Sequence, residues 1–185
     1  MSIATAEEAA KNALARTRNI PDTCQIVTRG YYGAPSVGDF DGDGSADAED
    51  GWKREPANFK HPGDRKPPKG FPVSWLHGSS DHGHRAISLG PDPQSGIYMI
   101  RSTDAPSRGV TSTVPLSWIE EHWGLEYAGW SETISGIKIP HRVKPVTRIT
   151  EARDLLQEAR GIAKTDGKLR RVKRINAALE ILPWK

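Results

Sequence analysis

Residues 71–103, FPVSWLHGSSDHGHRAISLGPDPQSGIYMIRST, decide the fold. The runs PVSWL, HRAISLG and GIYMIRST are rich in β-branched and aromatic side chains. Turn-forming residues break them at 78–83 and again at 91–96. Short runs with that punctuation predict an antiparallel meander. Downstream, LSWIEEHWG reads as a short helix with Leu116, Ile119 and Trp123 on one side, and YAGWSETIS as a last strand.

Upstream, TAEEAAKNALARTR (residues 5–18) carries strong helix formers, and Thr5 with Glu8 makes a capping-box pattern. A second helix is expected to begin near Asp22, with Cys24, Ile26 and Val27 on its first turns, and to stop at Gly30 or Gly33. Between residues 35 and 70 Gly, Pro and Asp recur without periodicity, which predicts an irregular segment. The fold class is therefore α+β, with N-terminal helices packed on an antiparallel sheet over residues 1–139. A linker at 140–145 leads to a C-terminal helical hairpin at 146–185. The second hairpin helix carries Lys168, Arg170, Arg171, Lys173 and Arg174, read as a solvated basic face rather than a nucleic-acid site, and the hairpin as a unit for targeting or assembly with a protein partner.

Composition narrows the class of function. The 185 residues include 36% hydrophobic and 26% charged side chains, a globular balance, with a formal net charge of +3. No run approaches the length of a membrane span, and the N-terminus lacks the apolar stretch of a signal peptide, so a soluble protein made in the cytoplasm is expected, with no membrane partner. One Cys among 185 residues excludes an internal disulfide framework.

That Cys opens a candidate catalytic group. A thiol in the first turn of a helix lies among free backbone N–H groups that favour the thiolate and assist an oxyanion. His84, at the start of a predicted strand, is read as its base, with His82 as the alternative. Asp104, closing the next strand, is the candidate that orients the imidazole; its other reading is a turn-forming Asp before Ala105 and Pro106. Trp75, Trp123, Trp130 and Tyr127 are candidates for a substrate groove, against the alternative that they fill the core. Zinc held by His77, His82 and His84 with Asp104 or His61 is a further reading of the histidines.

A second constellation lies in DFDGDGSADAED, residues 39–50. Asp39, Asp41, Asp43, Asp47 and Asp50 occupy positions 1, 3, 5, 9 and 12 of a calcium loop, Ser45 offers its carbonyl at position 7, and Gly44 stands at position 6, where the chain turns sharply. Ca2+ is the expected cofactor. The loop resembles the dockerin type of EF-hand, with Asp in place of Glu at its last position.

A Cys on a helix, a Gly-His opening one strand and a polar residue closing the next, together with the runs KGFPVSWLHGSSDHGHRAISLG and RSTDAPSRGVTSTVPLSWIEEHWGLEYAGWSETISGIKI, resemble the papain-like cell-wall hydrolases of the CHAP and NlpC type. The same runs are similar to endolysin and virion-associated domains of phages that infect actinobacteria. The resemblance, over residues 5–139, implies a papain-like core and cleavage of amide bonds in the peptide of bacterial peptidoglycan by Cys24, His84 and Asp104. It implies action at the cell wall after lysis or from a virion. The competing expectation is a non-catalytic structural or wall-binding module that keeps a hydrolase-like fold and a structural calcium site.

Overall fold

The computed structural model describes residues 2–40, 42–77 and 80–140. The chain divides after Arg142 into two compact units. The second, which contains the expected hairpin, lies outside the described residues, and most of the expected linker does too.

The capping box forms as the sequence predicts. Helix α1 spans Ala6–Ala15, with the Thr5 hydroxyl accepting from Glu8 N and the Glu8 carboxylate accepting from Thr5 N. It is shorter than expected, and its Ala6, Ala9, Ala10 and Ala13 face the core. Helix α2, Cys24–Tyr32, ends on Gly33, whose φ of 66° closes the helix in the left-handed conformation that glycine adopts without steric cost. Segment 35–70, expected to be irregular, contains helix α3 (Ala48–Arg54), a 3-10 turn (Ala57–Phe59) and strand β1 (Lys60–Pro62). The α3 signal is Asp47, whose carboxylate accepts from Glu49 N and Asp50 N and so nucleates a helix too short to show a periodic pattern.

The meander consists of β2 (Pro72–His77), β3 (Ser80–Pro91), β4 (Tyr98–Thr103) and β5 (Thr111–Pro115). Helix α4 (Trp118–Trp123) and β6 (Glu126–Ser131) follow, then the small hairpin β7 (Thr133–Ile134) and β8 (Ile137–Lys138). The six-stranded sheet is antiparallel throughout, in the order β1-β6-β2-β3-β4-β5, so the last long strand returns to pair with β2. The fold class is α+β, as expected. Among the described residues no helix is long and apolar enough to cross a membrane.

Strand β3 organises the rest because neighbouring residues on a strand point to opposite faces. His84 pairs in register with Trp75 of β2. Arg85, next along, points the other way and is fully buried, its Nη2 donating to Glu55 Oε1 at 2.8 Å and to Ser131 Oγ at 3.3 Å. Glu55 in turn accepts from Ser135 N and Gly136 N in the β7–β8 turn, each at 3.0 Å. Thr28 of α2 donates its hydroxyl to Arg85 O. The buried ion pair thus ties the end of α3 and the β7–β8 turn to the central strand, and the Arg85 carbonyl holds α2. Replacing Glu55 with Ala leaves a buried guanidinium without its counter-charge. The expected loss is about 3–5 kcal/mol, read from urea unfolding; a change below 1 kcal/mol contradicts this role.

Candidate active site and acidic loop

Helix α2 begins at Cys24 itself. Its cap is Thr23 rather than Asp22, and Thr23 makes no side-chain bond to the first turn because its hydroxyl donates to Ile20 O at 2.5 Å. First-turn N–H groups therefore remain uncapped beside the thiol. Asp22 and Asp104 both adopt positive φ, 62° and 57°, a conformation that short polar side chains tolerate better than most. They are also joined, Asp22 N donating to Asp104 Oδ2 at 3.2 Å.

Cys24 and His84 line one pocket of about 560 Å³. Asp22, Asp47, Asp104 and His82 bring polar groups to its wall, and Ile26, Trp123 and Leu125 bring apolar ones. Cys24 is half-buried, at the point where the helix start meets β3. Burial pushes its thiol up from 9.0 to about 11; backbone N–H groups of Arg85 and Gln25 pull it down, and the Asp104 and Asp47 carboxylates push it up. The helix start does favour the thiolate as the sequence suggested, but desolvation outweighs it. His84 is 4% exposed, and burial lowers its imidazole from 6.5 to about 4 against the opposing pull of Asp104. At neutral pH the thiol and the imidazole that line this pocket are both uncharged.

The polar group on His84 is Ser102, with Nε2 and Oγ 2.9 Å apart, and not Asp104. Strand β4 ends at Thr103, and the positive φ of Asp104 turns that residue out of the ladder. Its carboxylate accepts from Asn19 Nδ2, Asp22 N and Gly109 N and so fastens the segment before α2 to the turn after β4. Asp104 lines the pocket, yet it orients the approach to Cys24 rather than the imidazole. Ser102 is a residue that sequence reasoning missed. The period-2 alternation that placed His84 could have found it, since the pair Ile87–Arg101, carried one residue on, sets Ser102 diagonal to His84 on the same face.

Of the expected groove aromatics, only Trp123 reaches the pocket, where it meets the His84 ring edge-on at 4.9 Å between centroids. Trp75 is fully buried beneath Tyr127 and His84, and Trp130 is buried against His61 and Phe71. Both alternate inward on their strands and belong to the core. Tyr127 is half-buried and donates its hydroxyl to Asp64 O.

The zinc reading does not assemble among the described residues. His84 is held by Ser102, His61 stacks on Trp130 and contacts Glu132, and His82 turns to the acidic loop. The side chain of His77 lies outside the description.

The acidic loop forms the neighbouring wall of the pocket through Ser45, Ala46 and Asp47. Gly44, at position 6, has φ of 94°, as the sharp turn of a calcium loop requires. Asp39 accepts from Gly42 N and Gly44 N, Asp43 accepts from Ser45 N, and buried Asp50 accepts from Phe40 N. Asp41 lies outside the described residues. Potential ligand atoms of Asp43, Asp47 and His82 all lie within 4.8 Å of one another, and His82 Nδ1 sits 2.8 Å from Asp47 Oδ2. The sequence had offered His82 as an alternative base; its ring nitrogen is engaged with Asp47 instead.

Comparison with protein-family models, with curated proteins and with solved structures gave no match to this chain.

The two shifts predict opposite pH limits. His84 has a folded pKa below its unfolded one, so the unfolded chain binds the extra proton first, and stability falls as pH drops from 6.5 towards 4. Cys24 has a folded pKa above its unfolded one, so stability falls as pH rises from 9 towards 11. Denaturant melts across pH should show the acid limb shrinking by up to about 3 kcal/mol in His84→Gln. An unchanged acid limb contradicts a buried neutral imidazole. Iodoacetamide should alkylate Cys24 slowly at pH 7 and faster as pH rises towards 11; fast alkylation at pH 7 contradicts the neutral thiol.

Proposed function

We propose that this protein is a cysteine hydrolase that cuts amide bonds in the peptide of bacterial peptidoglycan. One observation carries the reading. The single Cys of the chain stands at the first residue of a helix, in a pocket it shares with a buried imidazole whose ring is held by a hydroxyl. That is the arrangement a thiol needs to act as a nucleophile with a positioned base. The substrate class and a phage origin rest on the resemblance to papain-like cell-wall hydrolases alone. The α+β fold, with helices packed on an antiparallel sheet, agrees with the core that resemblance implies.

Because thiol and imidazole rest neutral, the chemistry begins with proton transfer rather than from a standing ion pair. As Cys24 Sγ bonds to the scissile carbonyl carbon, its proton passes to His84, and uncapped N–H groups in the first turn of α2 stand beside the developing oxyanion. The imidazolium returns that proton to the departing amine, leaving a thioester on Cys24. Water then attacks the thioester carbonyl and gives a proton to His84. Collapse frees the acid, and the thiol regains its proton. Trp123 closes one side of the imidazole and keeps water from it.

Calcium is the cofactor we assign to the acidic loop. Hard carboxylate oxygens, a left-handed glycine at position 6 and an exit helix capped by position 9 support that choice. The ion would supply charge neutralisation that orders the loop along the pocket.

A second reading, a non-catalytic virion or wall-binding module, is favoured by one observation: burial holds the thiol protonated at neutral pH. Incubation with purified actinobacterial walls separates the two. The parent should release soluble peptide, Cys24→Ala should abolish release by at least about 100-fold, and His84→Ala should be nearly as severe. Release by Cys24→Ala at the parent rate contradicts cysteine catalysis, and no release by the folded parent favours the module. Calcium added after chelation should raise the melting temperature, as a ligand of the folded state must. An unchanged melt together with no heat of binding contradicts the assignment.

A further inference from the structure

We propose that Asp43, Asp47 and His82 form a binding site for a first-row divalent transition cation, with Zn2+ as the representative ion. The site differs from the oxygen-only set read for calcium, because one of its ligands is an imidazole nitrogen carried by β3. It rests on neither the hydrolase reading nor the calcium assignment.

The three groups come from two separate stretches of chain. Asp43 and Asp47 stand in the acidic loop, and His82 stands on β3. Their ligand atoms lie within 4.8 Å of one another, with His82 Nδ1 at 2.8 Å from Asp47 Oδ2 and 3.7 Å from Asp43 Oδ2. Each carboxylate is oriented through its other oxygen. Asp47 Oδ1 accepts from Glu49 N and Asp50 N at the start of α3, and Asp43 Oδ1 accepts from Ser45 N, so both acids turn Oδ2 to the imidazole. Ser45 Oγ lies by the same two oxygens, at 3.4 Å from Asp43 Oδ2 and 3.2 Å from Asp47 Oδ2. Backbone bonds therefore aim the ligand atoms, and an ion finds them already converged.

Stability does not account for this convergence. The His82 side chain is 68% exposed, and a solvent-exposed ion pair contributes little to folding. The approach of β3 to the loop is nonetheless built in at the next residue. Gly83 has a φ of 55°, and a Cβ there would lie 2.5 Å from Trp75 O and 3.6 Å from Glu49 N. Only a residue without a side chain brings the strand this close to the start of α3, and His82 is thereby carried to Asp47.

The donor set selects the class of ion. Calcium takes hard oxygens, whereas an imidazole nitrogen with two carboxylates suits zinc and its first-row neighbours. Three protein ligands leave a fourth position for water or another small ligand. Ser45, Asp47 and His82 all line the pocket, so the ion would stand in the pocket wall and join the acidic loop to β3 two residues before His84. Calcium in the loop would use Asp43 and Asp47 as well, so the two ions exclude each other.

The test is calorimetric titration of Zn2+ into the tag-free, full-length protein after chelation, with Co2+ as a visible spectroscopic probe of the same site. One equivalent of Zn2+ should bind. His82→Gln should weaken it by at least about 10-fold, since even the partners of a metal ligand carry that much affinity. Asp47→Asn, which still caps α3, should weaken it similarly. Cys24→Ser should leave Zn2+ binding and the Co2+ spectrum unchanged, because the thiol is not a ligand. Calcium binding, measured in the same way, should survive His82→Gln, and calcium should raise the apparent Kd for Zn2+ in the parent. Zn2+ affinity unchanged in His82→Gln overturns the proposal, as does Zn2+ binding that disappears in Cys24→Ser. If calcium gives no heat while Zn2+ binding depends on His82, the calcium assignment fails and this site stands.

Discussion

The guanidinium of Arg85 is buried in the described fold, and its ion pair with Glu55 joins the end of α3 and the β7–β8 turn to β3. Removing two charges from water costs several kcal/mol per ion. The arrangement holds because the Glu55 carboxylate also accepts from two backbone N–H groups of the β7–β8 turn. Space around Arg85 is tight. A Cβ on Gly51 would lie 2.5 Å from Arg85 Nη1 and 2.6 Å from the amide of Gln25, so α3 approaches only because residue 51 has no side chain. Gln25 is the neighbour of Cys24. The same contact that packs α3 therefore sets the height at which α2 begins, and with it the place of the nucleophile.

From this follows the division of labour on β3. Arg85 faces α2 and α3 and holds the fold, while His84 faces the other way and meets Trp75, Trp123 of α4 and Ser102. Fixing both on successive residues of one strand gives rigidity to the site, since neither can move without the other. It also buries the imidazole and withdraws solvent from the thiol, and that is why both rest uncharged. The acidic loop adjoins the same pocket through Asp47, which caps α3, contacts His82 and occupies position 9 of the calcium pattern.

Much of this was legible in the sequence. The capping box at Thr5, the break at Gly33, the three runs between residues 72 and 103 and the short helix before Gly124 all mark their elements by local chemistry. Helix α3 was not legible, because its cap Asp47 and its third residue Asp50 read first as calcium ligands. Strands β1 and β5 were missed: Lys60–Pro62 and Thr111–Pro115 are short edge strands, and the partner of β1, strand β6, is distant in the chain. At the site, Cys24 and His84 were legible from position alone. Ser102 was not, because an acid two residues away drew the orienting role, and only the φ of Asp104 shows that the chain has already left the strand. The fate of the Trp residues depends on which face each strand buries, and composition does not report it.

If Cys24 is the nucleophile, it carries the acyl group of a cleaved wall peptide during turnover. Mass spectrometry of a reaction with soluble wall fragments, quenched in acid while turnover proceeds, tests it directly. A protein population heavier by the acyl part of the fragment is expected, with the added mass on the peptide that contains Cys24 and lost on treatment with hydroxylamine, as a thioester requires. Sustained release of fragments with no adduct at Cys24, in a protein whose thiol is already blocked, would contradict it.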